Sequence, residues 1–266
     1  MLWNAKNGTV NDMEYVCFGT GPQTLIMLPG LGDGLRSVKG TALPVAFMYR
    51  KFAKDYTVYM FSRRKILPEG ATTCDMAADI AEAMKVLGIS RAHVFGVSMG
   101  GMIAQHFAAD YPQLVDKLVL VVTCAGTNPI MEEAVGEWIS CVSADDHTAL
   151  MESNLRRIYS EEYYRKNKWM VPVLGKLTKP ASYERFLIMA RACLDHNSYD
   201  KLGRITAPVL VIGGERDMCL GGEPSREIAG AIPGARLHMY EQWGHGLYEE
   251  AKDFNDRVYN FLKYDE

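Results

Sequence analysis

Short apolar runs alternate with amphipathic stripes along most of this chain, and that alternation constrains its fold more than any other feature. Thr24-Leu25-Ile26-Met27-Leu28, Val58-Tyr59-Met60-Phe61, Ala92-His93-Val94-Phe95 and Leu118-Val119-Leu120-Val121-Val122 read as buried strands. Between them lie a helical segment from Leu43 to Ala53, a stripe of Met76, Ile80, Met84 and Leu87, and a third helix carrying Met102, Ile103 and Phe107 that stops at Tyr111-Pro112. Thr72 with Asp75 forms a capping box for the second helix, and Gly88 a stop. The pattern resumes with a strand at Pro208-Val209-Leu210-Val211-Ile212, a helix from about Pro224, a strand from Arg236 to Tyr240 and a last helix facing inward with Ala251, Phe254, Val258 and Phe261. An initial hairpin occupies Gly8 to Phe18. Strand and helix in turn predict an α/β protein with a mostly parallel central sheet flanked by helices on both faces.

The alternation lapses between Ala125 and Tyr199, where helical patterns such as Met131, Val135 and Trp138, then Tyr183, Phe186, Ala190 and Cys193, take over. Residues 125–199 are therefore expected to form a helical cap insertion, with 1–124 and 200–266 building the core domain. A chain of 266 residues with 48% apolar content is long enough for one such elaborated domain.

The chemistry concentrates at Gly96-Val97-Ser98-Met99-Gly100, at the junction of the Ala92 strand and the following helix. A sharp strand-to-helix turn brings neighbouring backbone close, so the positions two before and two after the serine have room only for glycine. The turn lifts the Ser98 hydroxyl above the sheet edge and aims the Met99 amide at the place where an oxyanion would develop. A serine hydroxyl is a weak nucleophile at neutral pH and needs a base and a group to orient that base. Asp217, in Gly213-Gly214-Glu215-Arg216-Asp217, and His245, in Trp243-Gly244-His245-Gly246, each follow a strand and fall at the same sheet edge as Ser98. Glu215 and Asp195 are the other acids that could serve.

These three motifs, in the order serine, acid, histidine, resemble those of the α/β-hydrolase fold family, and the similarity extends over essentially the whole chain. Gly96 to Met102 is similar to the nucleophile elbow of cap-domain esterases and lactonases, including an enol-lactonase-like branch. Gly214-Glu215-Arg216-Asp217 matches the family's acid loop, and Gly244-His245 its histidine motif. The resemblance implies an oxyanion hole built from the amides of Met99 and Leu31. It departs at Pro29-Gly30, where relatives often carry His-Gly, and at Phe61-Ser62-Arg63-Arg64, where many place an Asp and a Gly-x-Gly turn. Dehalogenases of this fold use an elbow aspartate and proline-releasing peptidases a Trp after the serine, whereas this chain has Ser98 and Met99.

The expected activity is hydrolysis of a small, partly apolar carboxylic ester through an acyl-enzyme. Lactone opening, carbon–carbon bond hydrolysis and acyl transfer would use the same groups, and a small-molecule receptor with slow hydrolysis is the reading from another class. Trp138, Trp169, Phe186 and Met189 of the insertion are expected to roof the site. No cofactor is required. The histidines show no H-x-x-x-H or H-E-x-x-H spacing, which points away from a metal. Gly30, Gly32 and Gly34 form neither a full G-x-G-x-x-G nor a phosphate loop.

A net charge of -3 without a dense basic block argues against nucleic acid and leaves a small molecule as the expected partner. Arg63-Arg64-Lys65 is expected to be a solvated loop, with a role towards an acidic substrate as the alternative. No apolar stretch is long enough to cross a bilayer, and no secretory pattern opens the sequence. Six scattered cysteines (17, 74, 124, 141, 193 and 219) suit reduced thiols, so the expected location is the cytoplasm. Oligomeric state is not legible.

Overall fold

The structure, a computed structural model, describes residues 2–264. Eight strands form one sheet: β1 (Lys6–Val10), β2 (Met13–Phe18), β3 (Gln23–Leu28), β4 (Tyr56–Arg64), β5 (Ala92–Val97), β6 (Val115–Val121), β7 (Val209–Gly214) and β8 (Arg236–Tyr240). Their order is β1-β2-β4-β3-β5-β6-β7-β8, with β2 antiparallel to both neighbours and every pair from β4 onward parallel. The chain moves from β3 back to β4 and then crosses to β5 on the other side. The carboxyl ends of β3 and β5, where Leu28 pairs with Gly96, therefore mark the point at which the sheet order reverses and a crevice opens.

Around the sheet lie α1 (Ala42–Met48), α2 (Thr73–Leu87), α3 (Met99–Asp110), α4 (Pro129–Ser143), α5 (His147–Ile158), α6 (Glu161–Asn167), α7 (Val171–Leu177), α8 (Glu184–Leu194), α9 (Tyr199–Leu202), α10 (Glu223–Ala231), α11 (Leu247–Glu250) and α12 (Phe254–Tyr264). The period of two along β3 explains the layering. Ile26 and Leu28 pack with α2, α3 and α10 on one face, while Leu25 and Met27 pack with α1 and α12 on the other. Central β5 is buried along its whole length, as a strand covered on both faces must be.

The predicted capping box is present: Thr72 Oγ1 accepts from the Asp75 amide, Asp75 accepts from the Thr72 amide, and Gly88 ends α2 in the left-handed region at φ 70°. Two expectations shift. The Leu43 to Ala53 helix is α1 followed by a separate 3-10 turn over Arg50–Phe52, and α12 begins only at Phe254, with Ala251 ending the short α11.

Helices α4 to α8 all lie between β6 and β7. At their base an antiparallel bridge joins Gly126 to Asn197, and Ser198 donates to the carbonyl of Ala125 and to Oε1 of Gln105 on α3, both at 2.7 Å. No helix among the described residues is long and apolar enough to cross a membrane.

Candidate active site

Ser98 sits between β5 and α3 with φ 54° and ψ -122°, a conformation that L residues rarely adopt. Packing enforces it. A β-carbon on Gly96 would lie 2.4 Å from the carbonyl oxygen of Gly100, and one on Gly100 would lie 1.9 Å from that of Leu28. The Ser98 amide donates to Val121 at 2.9 Å, and its carbonyl accepts from Thr123 Oγ1 at 2.8 Å. Between these two contacts stands Val122 at φ 42°. A β-branched residue in that region is strained, and sequence pattern gave no sign of it.

Asp217 and His245 come together from loops 28 residues apart. His245 Nδ1 is 2.7 Å from Asp217 Oδ2, and both side chains are buried. Asp217 Oδ1 accepts from the amides of Cys219 and Leu220 at 2.8 and 2.9 Å, which fixes the carboxylate plane. Glu215 instead pairs with Arg226, and Asp195 merely ends α8. Burial, reinforced by Asp217, pushes the Cys219 thiol well up, so it stays protonated.

Ser98 and His245 line one cavity of about 590 Å³. Leu31 opens the 3-10 turn Leu31–Gly34 and Met99 opens α3, positions whose amides have no partner within their own helix. Gly30 runs so close that a β-carbon there would be 3.3 Å from Ser98 Cβ, which sets this loop against the serine.

Of the four insertion residues expected to roof the site, Trp138 and Phe186 line the cavity. Trp169 does not: its side chain is 72% exposed, while Met170 of the same turn lines the cavity. Met189 is fully buried within the core, one helical turn beyond Phe186. The sequence reading missed Tyr49, Asn154, Tyr159, Tyr163, Tyr248 and Glu249, which line the same cavity. The proximity of Tyr248 and Glu249 to His245 in the chain was the signal available.

Arg63 does not lie in the solvated loop expected of Arg63-Arg64-Lys65. β4 continues against β2 as far as Arg64, so Arg63 points into the protein and is only 2% exposed. Its guanidinium donates to Phe61 O at 3.1 Å and to Pro29 O, and its amide donates to Asp33 Oδ2 at 2.9 Å. Burial pushes its pKa down to about 10, with Asp33 opposing. Arg64 pairs with Asp79 and Lys65 with Glu14.

The insertion is fastened to both loops that border Ser98. Arg185 of α8 reaches Asp33 beyond Leu31, while the Gly246 amide donates to Ile158 at 2.6 Å and Glu250 accepts from the Ser160 amide at 2.9 Å. Among the described residues, two groups bring possible ligand atoms within 4.8 Å of one another: Cys74 with His106 and Asp110, and Asp217 with Cys219 and His245. In the first, the Lys201 ammonium already lies 2.6 Å from Asp110 and 3.6 Å from Cys74.

A family profile described as alpha/beta hydrolase fold matches residues 23–252. The 2-hydroxy-6-oxononadienedioate/2-hydroxy-6-oxononatrienedioate hydrolase of Burkholderia vietnamiensis is 28% identical, over 97% of this chain and 93% of that protein. The enol-lactonase of Burkholderia xenovorans superposes with a TM-score of 0.80 at 22% identity, covering 97% of this chain and 99% of that one. A thermophilic esterase from Thermogutta terrifontis superposes with a TM-score of 0.75 at 19% identity, covering 98% of each.

Proposed function

This chain belongs to the α/β-hydrolase fold family, and from that premise we propose that it is a serine hydrolase of carboxylic esters with an at least partly apolar acyl or alcohol group. The observation that carries this reading is the shared cavity: Ser98, held at φ 54°, and His245, bonded through Nδ1 to Asp217, both face it. Residues 125–199 serve as its cap.

Because Nδ1 is engaged by Asp217, Nε2 is the ring nitrogen left to take the Ser98 proton. Oγ then bonds to the acyl carbon, and the carbonyl electrons move to an oxyanion met by the amides of Leu31 and Met99. Collapse of this intermediate breaks the bond to the alcohol oxygen, which leaves with the proton from His245. Water repeats the sequence on the acyl-enzyme and restores Ser98. Asp217 fixes the tautomer and stabilises the imidazolium.

The apolar lining, with Leu28, Met60, Val97, Leu155, Val171 and Phe186 among its members, supports an apolar ester. Lactone opening and carbon–carbon bond hydrolysis run on the same groups. The six cysteines, all free thiols, support a reducing, cytoplasmic setting.

A fluorophosphonate should label Ser98 stoichiometrically, and a short-chain to long-chain aryl ester panel should turn over many times. Ser98→Ala should abolish labelling and lower kcat by about four to six powers of ten. A loss below tenfold would exclude Ser98 as nucleophile, and labelling without turnover would favour a receptor.

A further inference from the structure

The cavity over Ser98 has one electrical character. Among the described residues that line it, none is a lysine or an arginine. Its Asp, Glu and His members number three, and two are already engaged: His245 by Asp217, and Asp33 by Arg185 and the Arg63 amide. The third is Glu249.

Glu249 follows the His245 loop on α11, and its Oε2 accepts from the Tyr159 hydroxyl at 2.8 Å. Tyr159 is itself stacked on Tyr163 with ring centroids 4.3 Å apart. The ion pairs of the described residues include none to Glu249. Its side chain is exposed, so it marks a water-reaching part of the cavity, while crowding by protein and adjacent Glu250 raise its carboxyl pKa, and the repulsion it offers an anion therefore grows as pH rises. A substrate carboxylate entering here would lose hydration, meet no counter-charge and stand near a like charge.

We infer that this cavity selects uncharged substrates and that Glu249 is a specificity-determining residue that excludes those bearing a carboxylate. The inference deepens the proposed function and rests on its assignment of Ser98.

Two ester pairs test it, each an anion and its methyl-masked partner: 4-nitrophenyl adipate with its methyl ester, and 4-carboxyphenyl hexanoate with its methyl ester. The first places the charge on the acyl side and the second on the alcohol side. In at least one pair, the wild-type kcat/KM should fall about 30-fold or more for the anion, the scale of a like charge several ångströms away in a partly shielded site. Glu249→Gln, which still accepts from Tyr159, should narrow that gap about tenfold, and Glu249→Asp should keep it. Ratios within threefold for both pairs, or a gap unchanged in Glu249→Gln, would overturn the inference. Binding of hexananilide against adipic acid monoanilide by calorimetry reads the same preference without turnover. If no ester is cleaved and fluorophosphonate fails to label Ser98, the nucleophile reading falls while this binding ratio still decides the charge preference.

Discussion

Arg185 Nη2, on a helix of the insertion, lies 2.5 Å from Asp33 Oδ2, two residues beyond Leu31. The guanidinium also donates to the carbonyls of Arg64 at 2.9 Å, Arg63 at 3.0 Å and Asp33. One side chain thus ties the insertion to the loop proposed to supply an oxyanion donor. Arg185→Met should destabilise the protein by about 3 kcal/mol, since it takes the direct ion pair from a buried carboxylate and leaves it the Arg63 amide. It should also lower kcat about tenfold to a hundredfold with a smaller change in KM, because a displaced donor is missed most in the transition state. Arg185→Lys should recover part of the stability and little of kcat, as one ammonium cannot reproduce the fork. Denaturant titration and steady-state kinetics check both.

Asp217→Asn should leave the fold intact and lower kcat by about three to four powers of ten. The amide can still accept from the Cys219 and Leu220 amides, but it no longer favours the His245 tautomer with Nε2 free to accept. A loss confined to KM would show that Asp217 shapes the cavity and does not orient the base.

Two glycine-to-alanine changes should move stability in opposite directions. Gly100→Ala forces a β-carbon to within 1.9 Å of the Leu28 carbonyl oxygen, so β3 and α3 must separate and the melting temperature should fall sharply. Gly136, within α4, has nothing within 4 Å of its β-carbon position, and Gly136→Ala should add about 0.5 to 1 kcal/mol. Thermal melts of the two variants check the contrast.

Stability should fall as pH drops below about 6.5. Burial holds His196 neutral, with a pKa pushed down to about 3, beside His106, itself lowered, at a centroid distance of 5.1 Å. The unfolded chain takes up a proton near the ordinary histidine value while the folded chain does not, so the contribution is complete above that value and is lost progressively towards pH 3. His196 alone should lower the unfolding free energy by about 2 kcal/mol at pH 5 relative to pH 7.5. His196→Gln, retaining a group able to bond Thr73, should flatten the slope in urea titrations at the two pH values.

Much of the fold was written into local pattern. Alternating apolar runs and helical stripes, the Thr72 cap and the Gly88 stop are near-neighbour features, and the parallel sheet follows from their order. The candidate site was partly legible for the same reason: Ser98, Asp217 and His245 each carry a short motif at the end of a strand, and parallel strands deliver their ends to one edge.

What the residues alone could not reveal depends on which segments meet. Arg63 reads as a solvated base, yet the length of β4 is set by its pairing with β2, and the pleat turns that side chain inward. Trp169 and Phe186 are both aromatic residues of helical segments, and only the tertiary packing makes Phe186 a cavity wall and leaves Trp169 in water. The Arg185–Asp33 link joins positions 152 residues apart. Sequence therefore determined the element order and the chemical groups at the strand ends, because those follow from periodicity and backbone sterics. Tertiary structure decided the cavity's lining and its charge, because burial and pairing between distant segments exist only once the chain has closed on itself.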